Sequence, residues 1–162
     1  MLKFYGNLTD FWTEDLKKYT FPESVSTGQR EDLHRNYYSE SNNLEQGFGD
    51  QLPECKDRFF KELGIEVGTI SWTNILPARV IPTHNDAFYK LRTEHGVEID
   101  DCLRYLIFLQ DWELGHMVEF EEQPITKWKK GDVWVFDHLS YHCAANTSNN
   151  SFVTCQVNTF KE

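Results

Sequence analysis

The chain has few means of tying itself together covalently: its 162 residues contain four cysteines, Cys55, Cys102, Cys143 and Cys155. None falls in the Cys-x-x-Cys spacing of a zinc knuckle or a thioredoxin-like redox pair. Reduced thiols that behave as small hydrophobes are expected, with Cys143, next to a histidine, the one with some prospect of reactivity. Long apolar runs are also missing. Nowhere do about 18 apolar residues follow one another, and the opening Met1-Leu2-Lys3-Phe4-Tyr5-Gly6-Asn7 lacks the apolar run of a signal peptide. A cytoplasmic protein without a membrane partner is the expectation. Positive charge is scarce, with 16 Lys and Arg against 26 Asp and Glu and a formal net charge of −10. Non-specific nucleic-acid binding rests on Lys and Arg contacts to phosphate, so a small molecule or a cationic partner is expected and not a nucleic acid, with free amino acid, peptidyl residue and other small metabolites all open as substrates.

What the chain does have is core material: 40% hydrophobic residues, 15% of all residues aromatic. A chain of this length can bury roughly two thirds of its unfolded surface, which predicts one domain over residues 1–162. Its texture changes near residue 67. Residues 1–66 read as helical and irregular. In residues 8–16 a capping Thr9 or Asp10 before Phe11, Trp12 and Leu16 predicts a helix after the cap, and Pro53, the Phe59, Phe60 and Leu63 stripe and Gly64 predict another over 52–63. Polar, Gly-containing residues 39–50 predict a loop.

From residue 67 onward, β-branched and aromatic runs recur at 69–76, 79–82, 102–109, 117–120, 133–136 and 152–160, which predicts strands. Turn signals at Leu76-Pro77, Leu114-Gly115, Lys130-Gly131-Asp132 and residues 146–150 separate them. These connections are mostly too short for crossover helices, so antiparallel pairing follows. Six or more short strands behind a helical cap predict a mainly β fold: a double-stranded β-helix of the jelly-roll or cupin type, with N-terminal helices packed outside. Residues 87–101 have no strand texture and read as a mobile lid. Trp72, Trp112, Trp128 and Trp134 are expected in the core.

In Pro82-Thr83-His84-Asn85-Asp86 a histidine and a carboxylate stand two apart at a strand end, so extended backbone projects both to one face. Another imidazole comes from 136–142, where His138 and His142 are both open, with 55 residues between Asp86 and His142. Two imidazoles and a carboxylate can take one face of an octahedral metal and leave the other positions open. His34, His95 and His116 have no partner spacing.

The block from Trp128 to Asn146, with its Gly131-Asp132 turn, Phe136-Asp137 and His142 followed by Asn146, resembles the 2-oxoglutarate/Fe(II)-dependent oxygenase superfamily, in particular aspartyl/asparaginyl β-hydroxylase-like and proline hydroxylase-like members. Residues 76–86 are similar to that superfamily's approach to its His-x-Asp motif. The likeness covers about half the chain, from Thr69 to the C-terminus. It implies a metal triad of His84, Asp86 and His142, and it decides against His138. The implied chemistry is hydroxylation with Fe(II), O2 and 2-oxoglutarate, releasing succinate and CO2. Because Asp86 is present, where related halogenases have a small residue, the resemblance points to a hydroxylase or desaturase.

One departure stands out. Most superfamily members carry an arginine on the last strand to hold the distal carboxylate of 2-oxoglutarate, whereas residues 149–160 contain no Arg or Lys. The resemblance offers Arg104 as the cosubstrate's partner instead, with Asn74 and the alternate-face set Thr154, Gln156 and Asn158 as neutral contributors. Arg79, Lys90 and Arg92 flank the first ligands and are candidates for a substrate carboxylate. Two other readings of the same residues are a cupin-like metal enzyme that does not use 2-oxoglutarate and a non-catalytic metal-binding barrel.

Overall fold

The computed structural model describes residues 1–19, 45–48, 53–121 and 123–161. Among the described residues ten strands form two antiparallel sheets: β1 (Leu2–Asn7), β2 (Glu45–Phe48), β3 (Thr69–Ile75), β4 (Arg79–His84), β5 (Cys102–Phe108), β6 (His116–Phe120), β7 (Pro124–Ile125), β8 (Asp132–Asp137), β9 (His142–Asn146) and β10 (Phe152–Phe160). One sheet has the order β1-β8-β5-β10-β3-β2 and the other β4-β9-β6-β7. This is the expected double-stranded β-helix. The helices are α1 (Thr13–Lys18), α2 (Pro53–Leu63) and α3 (Tyr89–His95), with a 3-10 turn at Ile99–Asp101.

The central strands of the larger sheet are buried on both sides, so alternation of side chains assigns two separate cores. Ile70, Trp72, Ile107, Cys155 and Val157 point outward and pack against Trp12, Cys55, Phe59 and Leu63 from the α1 and α2 segments. Leu106, Phe108, Phe136 and Phe152 point inward to Val118, Phe120 and Ala144 of the smaller sheet. The helices therefore sit outside the barrel, as the sequence predicts. The Lys130-Gly131-Asp132 turn is held tightly: Gly131 has φ 89°, donates to the Phe108 carbonyl at 2.7 Å and accepts from the Leu8 N–H at 2.8 Å. A Cβ there would collide with the Leu8 carbonyl, which restricts this position to glycine.

Several expectations need correction. Residues 1–66 contribute two strands as well as helices. β1 pairs along β8, and β2 pairs with β3 inside the predicted loop 39–50, whose other residues lie outside those described, as does His34. The first helix starts at Thr13, with Trp12 as its N-cap, and the Asp10 carboxylate just before it accepts from the N–H groups of Trp12 and Thr13, both at 3.1 Å. Residues 87–101 form a helix and a 3-10 turn, with Gly96 in the left-handed conformation ending α3 and Leu91 fully buried. Residues 142–146 form a strand, paired on both sides by β4 and β6. No helix among the described residues is long and apolar enough to cross a membrane.

Candidate metal centre

The site grows from a bulge. Between β4 and β9 the register runs Val80 to Ala145 and Ile81 to Ala144, then jumps to His84 opposite His142. Pro82 and Thr83 face the single residue Cys143. Pro82 has no N–H for the ladder, and an extra residue at a bulge re-aims the side chains beyond it. The two imidazoles are thereby brought opposite each other, with ring centroids 4.4 Å apart. Asp86 follows two residues after His84. Its Oδ1 lies 3.8 Å from His84 Nε2 and its Oδ2 3.8 Å from His142 Nε2. One ligand atom from each of the three lies within 4.8 Å of the others.

These separations suit an ion. Ligand atoms each about 2.1 Å from one metal and at right angles to one another lie about 3 Å apart, so closure needs shifts of under about 1 Å. The imidazoles are also oriented for it. His84 Nδ1 lies 2.8 Å from the Pro82 carbonyl and His142 Nδ1 lies 3.0 Å from the Ser140 carbonyl. Each contact fixes the tautomer with Nδ1–H donating and the Nε2 lone pair facing Asp86. Behind His142, Phe120 stacks at 5.0 Å and Phe136 meets the ring edge-on at 4.9 Å. Burial among them drives the His142 pKa down to about 4, against a partial upward pull from Asp86. The ring is therefore neutral at pH 7, the state a ligand needs.

His138 does not compete. Its Nε2 lies 3.2 Å from an Asp100 carboxylate oxygen, which holds it to the 3-10 turn. Arg104, from β5 of the other sheet, reaches the centre: its Nη1 lies 2.9 Å from Asp86 Oδ2 and its Nε donates to Asn158 Oδ1 at 2.8 Å. Its guanidinium carbon stands 5.5 Å from the centroid of Phe88, a buried residue at φ 48° that turns the chain from the Asp86 segment into α3. The last-strand residues Thr154, Gln156 and Asn158 are all buried, on the inner face. Gln156 Oε1 accepts from Ser71 and Thr73 at 3.1 and 3.0 Å, and its Nε2 donates to Thr154.

The remaining predicted residues are spread out. Asn74 lies on the outer face with Ile70 and Trp72, opposite Val153, so strand alternation turns it away from the triad. Arg79 begins β4 opposite Asn146, five residues and roughly 16 Å of strand from His84. Lys90 pairs with Glu94 along α3 at 3.8 Å. Arg92, on α3, has its Nε buried without a hydrogen-bond partner. The sequence reading passed over Ser140, whose carbonyl orients His142. None of the four cysteines forms a disulfide among the described residues, with Cys143 part-exposed and the others buried.

Fold and side chains together define a jelly-roll barrel with a His, Asp, His cluster at the junction of its two sheets. No protein-family model and no curated protein sequence matches the chain. Among solved structures it is similar to the non-heme alpha ketoglutarate dependent epimerase SnoN from nogalamycin biosynthesis, with a TM-score of 0.56 and 11% identity over 77% of this chain and 64% of that one. The carbocyclase SnoK of the same biosynthesis matches with a TM-score of 0.56 and 15% identity over 76% of this chain and 66% of that one. The chain thus spans about two thirds of the length of each. At these identities the likeness shows the fold.

Proposed function

We propose that this protein is a non-haem Fe(II) oxygenase that uses 2-oxoglutarate and O2 to oxidise a small molecule or an amino-acid residue, with release of succinate and CO2. The observation that carries the reading is the His84, Asp86, His142 cluster, with both Nδ1 atoms tied to backbone carbonyls and both Nε2 atoms turned toward the carboxylate. Two imidazoles and one carboxylate on one side of an ion, with positions left open, is the donor set of non-haem Fe(II) oxygenases. Iron held there supplies the O2 activation, with 2-oxoglutarate as co-reductant. The chain's own residues orient the ligands, exclude water from one side of the ion through Phe120 and Phe136, and offer cations to carboxylates. Arg104 retains donors beyond the two that contact Asp86 and Asn158. Arg92, whose Nε is buried without a hydrogen-bond partner, is the cation this reading assigns to a substrate carboxylate.

A second reading, a cupin-like metal enzyme that does not use 2-oxoglutarate, is favoured by one feature. Arg104 is already engaged by Asp86 and Asn158, and β10 carries no cation of its own. Anaerobic loading with Fe(II), followed by 2-oxoglutarate, separates the two. The 2-oxoglutarate enzyme develops a visible metal-to-ligand charge-transfer band and later yields succinate, whereas iron bound without a band selects the second reading. His142→Ala is expected to lose stoichiometric iron while keeping the fold. Retained iron in that variant would sink the triad assignment.

A further inference from the structure

The residues around Asp86 form a line across the larger sheet. Thr69, Asn158 and Arg104 are Cα partners in register on β3, β10 and β5, and their side chains are joined in the same order. Asn158 Nδ2 donates to Thr69 Oγ1 at 3.1 Å, Arg104 Nε donates to Asn158 Oδ1 at 2.8 Å, and Arg104 Nη1 meets Asp86 Oδ2 at 2.9 Å. Thr69, Asp86 and Asn158 are all under a tenth exposed. A carboxylate so buried needs a cation or several donors to stay charged. A guanidinium, whose N–H groups project in a fixed planar fork, transmits direction from one contact to the next in a way an ammonium cannot.

From this we infer that Arg104, itself aimed by Asn158, is a positioning residue for Asp86: it engages Oδ2 and so presents Oδ1 to the metal, fixing one-oxygen coordination by this carboxylate. The inference rests on the reading of His84, Asp86 and His142 as metal ligands. It also gives Arg104 a role that does not depend on 2-oxoglutarate. A carboxylate free to rotate, or to chelate with both oxygens, would occupy a second metal position and change the ligand field. Outer partners of this kind typically change metal affinity by 10–100-fold when removed.

The test uses Co(II) as probe, titrated into the whole metal-free protein and followed by calorimetry and by visible d–d absorption, which reports coordination number and geometry. Wild type is expected to bind one Co(II) per chain, and His142→Ala to bind none. Arg104→Gln should weaken Co(II) by roughly 10–100-fold and alter the d–d spectrum. Arg104→Lys should restore part of the affinity without the wild-type spectrum. Asn158→Ala keeps every charge and should give the same spectral change with a smaller loss of affinity. It therefore carries the test if thermal melts show that Arg104→Gln does not fold. Wild-type affinity and spectrum in both Arg104→Gln and Asn158→Ala would overturn the positioning role while leaving the triad in place. Failure of wild type to bind Co(II) would overturn the triad and this inference together.

Discussion

The two faces of the central strands β3 and β10 are about equally buried, yet they have opposite chemistry. On β3, Trp72 is 0% exposed and its neighbours Ser71 and Thr73 are 9% and 4% exposed. Trp72 faces the helices. Ser71 and Thr73 face the barrel interior and bond to Gln156. On β10, Cys155 and Val157 join the outer core, whereas Thr154, Gln156 and Asn158 form the inner polar row. The outer face is stabilised by removing apolar area from water, worth roughly 25 cal/mol per Å2. Polar burial on the inner face costs free energy unless each group finds a partner, and the hydrogen bonds of Gln156, Asn158 and Arg104 supply such partners. The difference divides the sheet: the helices hold it from outside, and on the inner side Asn158 and Arg104 lead to Asp86 of the His, Asp, His cluster.

That division can be broken from either side. Trp72→Ala removes a fully buried indole whose ring centroid lies 6.4 Å from that of Phe59, and should cost about 3–5 kcal/mol. Chemical denaturation is the measurement, and Co(II) affinity of the folded variant should stay near wild type. Gln156→Leu should cost less, about 1–3 kcal/mol, because it strands the Ser71 and Thr73 hydroxyls without their acceptor. Equal or greater loss from Gln156→Leu than from Trp72→Ala would mean that the inner polar row, and not the outer core, holds the sheet.

Much of this was legible in the residues. The alternation of Thr154, Gln156 and Asn158 with Cys155 and Val157 places two sets on two faces, and His84 and Asp86 fall on one side of a strand end. Burial was less legible, since period-2 alternation separates faces without saying that both are covered. It could not tell that Asn74 belongs to the helix side. β9 escaped because His142-Cys143-Ala144-Ala145-Asn146 has little strand propensity; pairing with β4 and β6 imposes the extended form from outside. The bulge at Pro82 and Thr83, on which the facing of the two histidines depends, is a property of the pairing and leaves only the proline as a trace. α3 did have a signal, Gly96 at its end, but only seven residues in which to display a period. Arg104 was visible as a charge on a core strand. Its engagement with Asp86 needed the two sheets to be brought together.

The smallest expected effect concerns how the outer face is closed. Burial alone pushes the Asp10 carboxyl up, but the Lys130 ammonium, the Thr13 hydroxyl and the N–H groups of Thr13 and Trp12 outweigh it and hold the pKa at about 2, against an ordinary 3.8. A depressed folded-state value means that this cluster stabilises the fold above the ordinary pKa and that the contribution fades as pH falls through the folded one. The window is therefore pH 4 down to about 2. Asp10 is about a third exposed, so solvent and salt screen the pair and the magnitude is modest. Asp10→Asn should lower the thermal midpoint slightly and by a constant amount above pH 4, with the gap narrowing below it and narrowing everywhere in high salt. A gap that widens toward pH 2 would mean that Asp10 is neutral in the folded protein, and that the start of α1, with Trp12 against the outer core, is held by packing without the help of that charge.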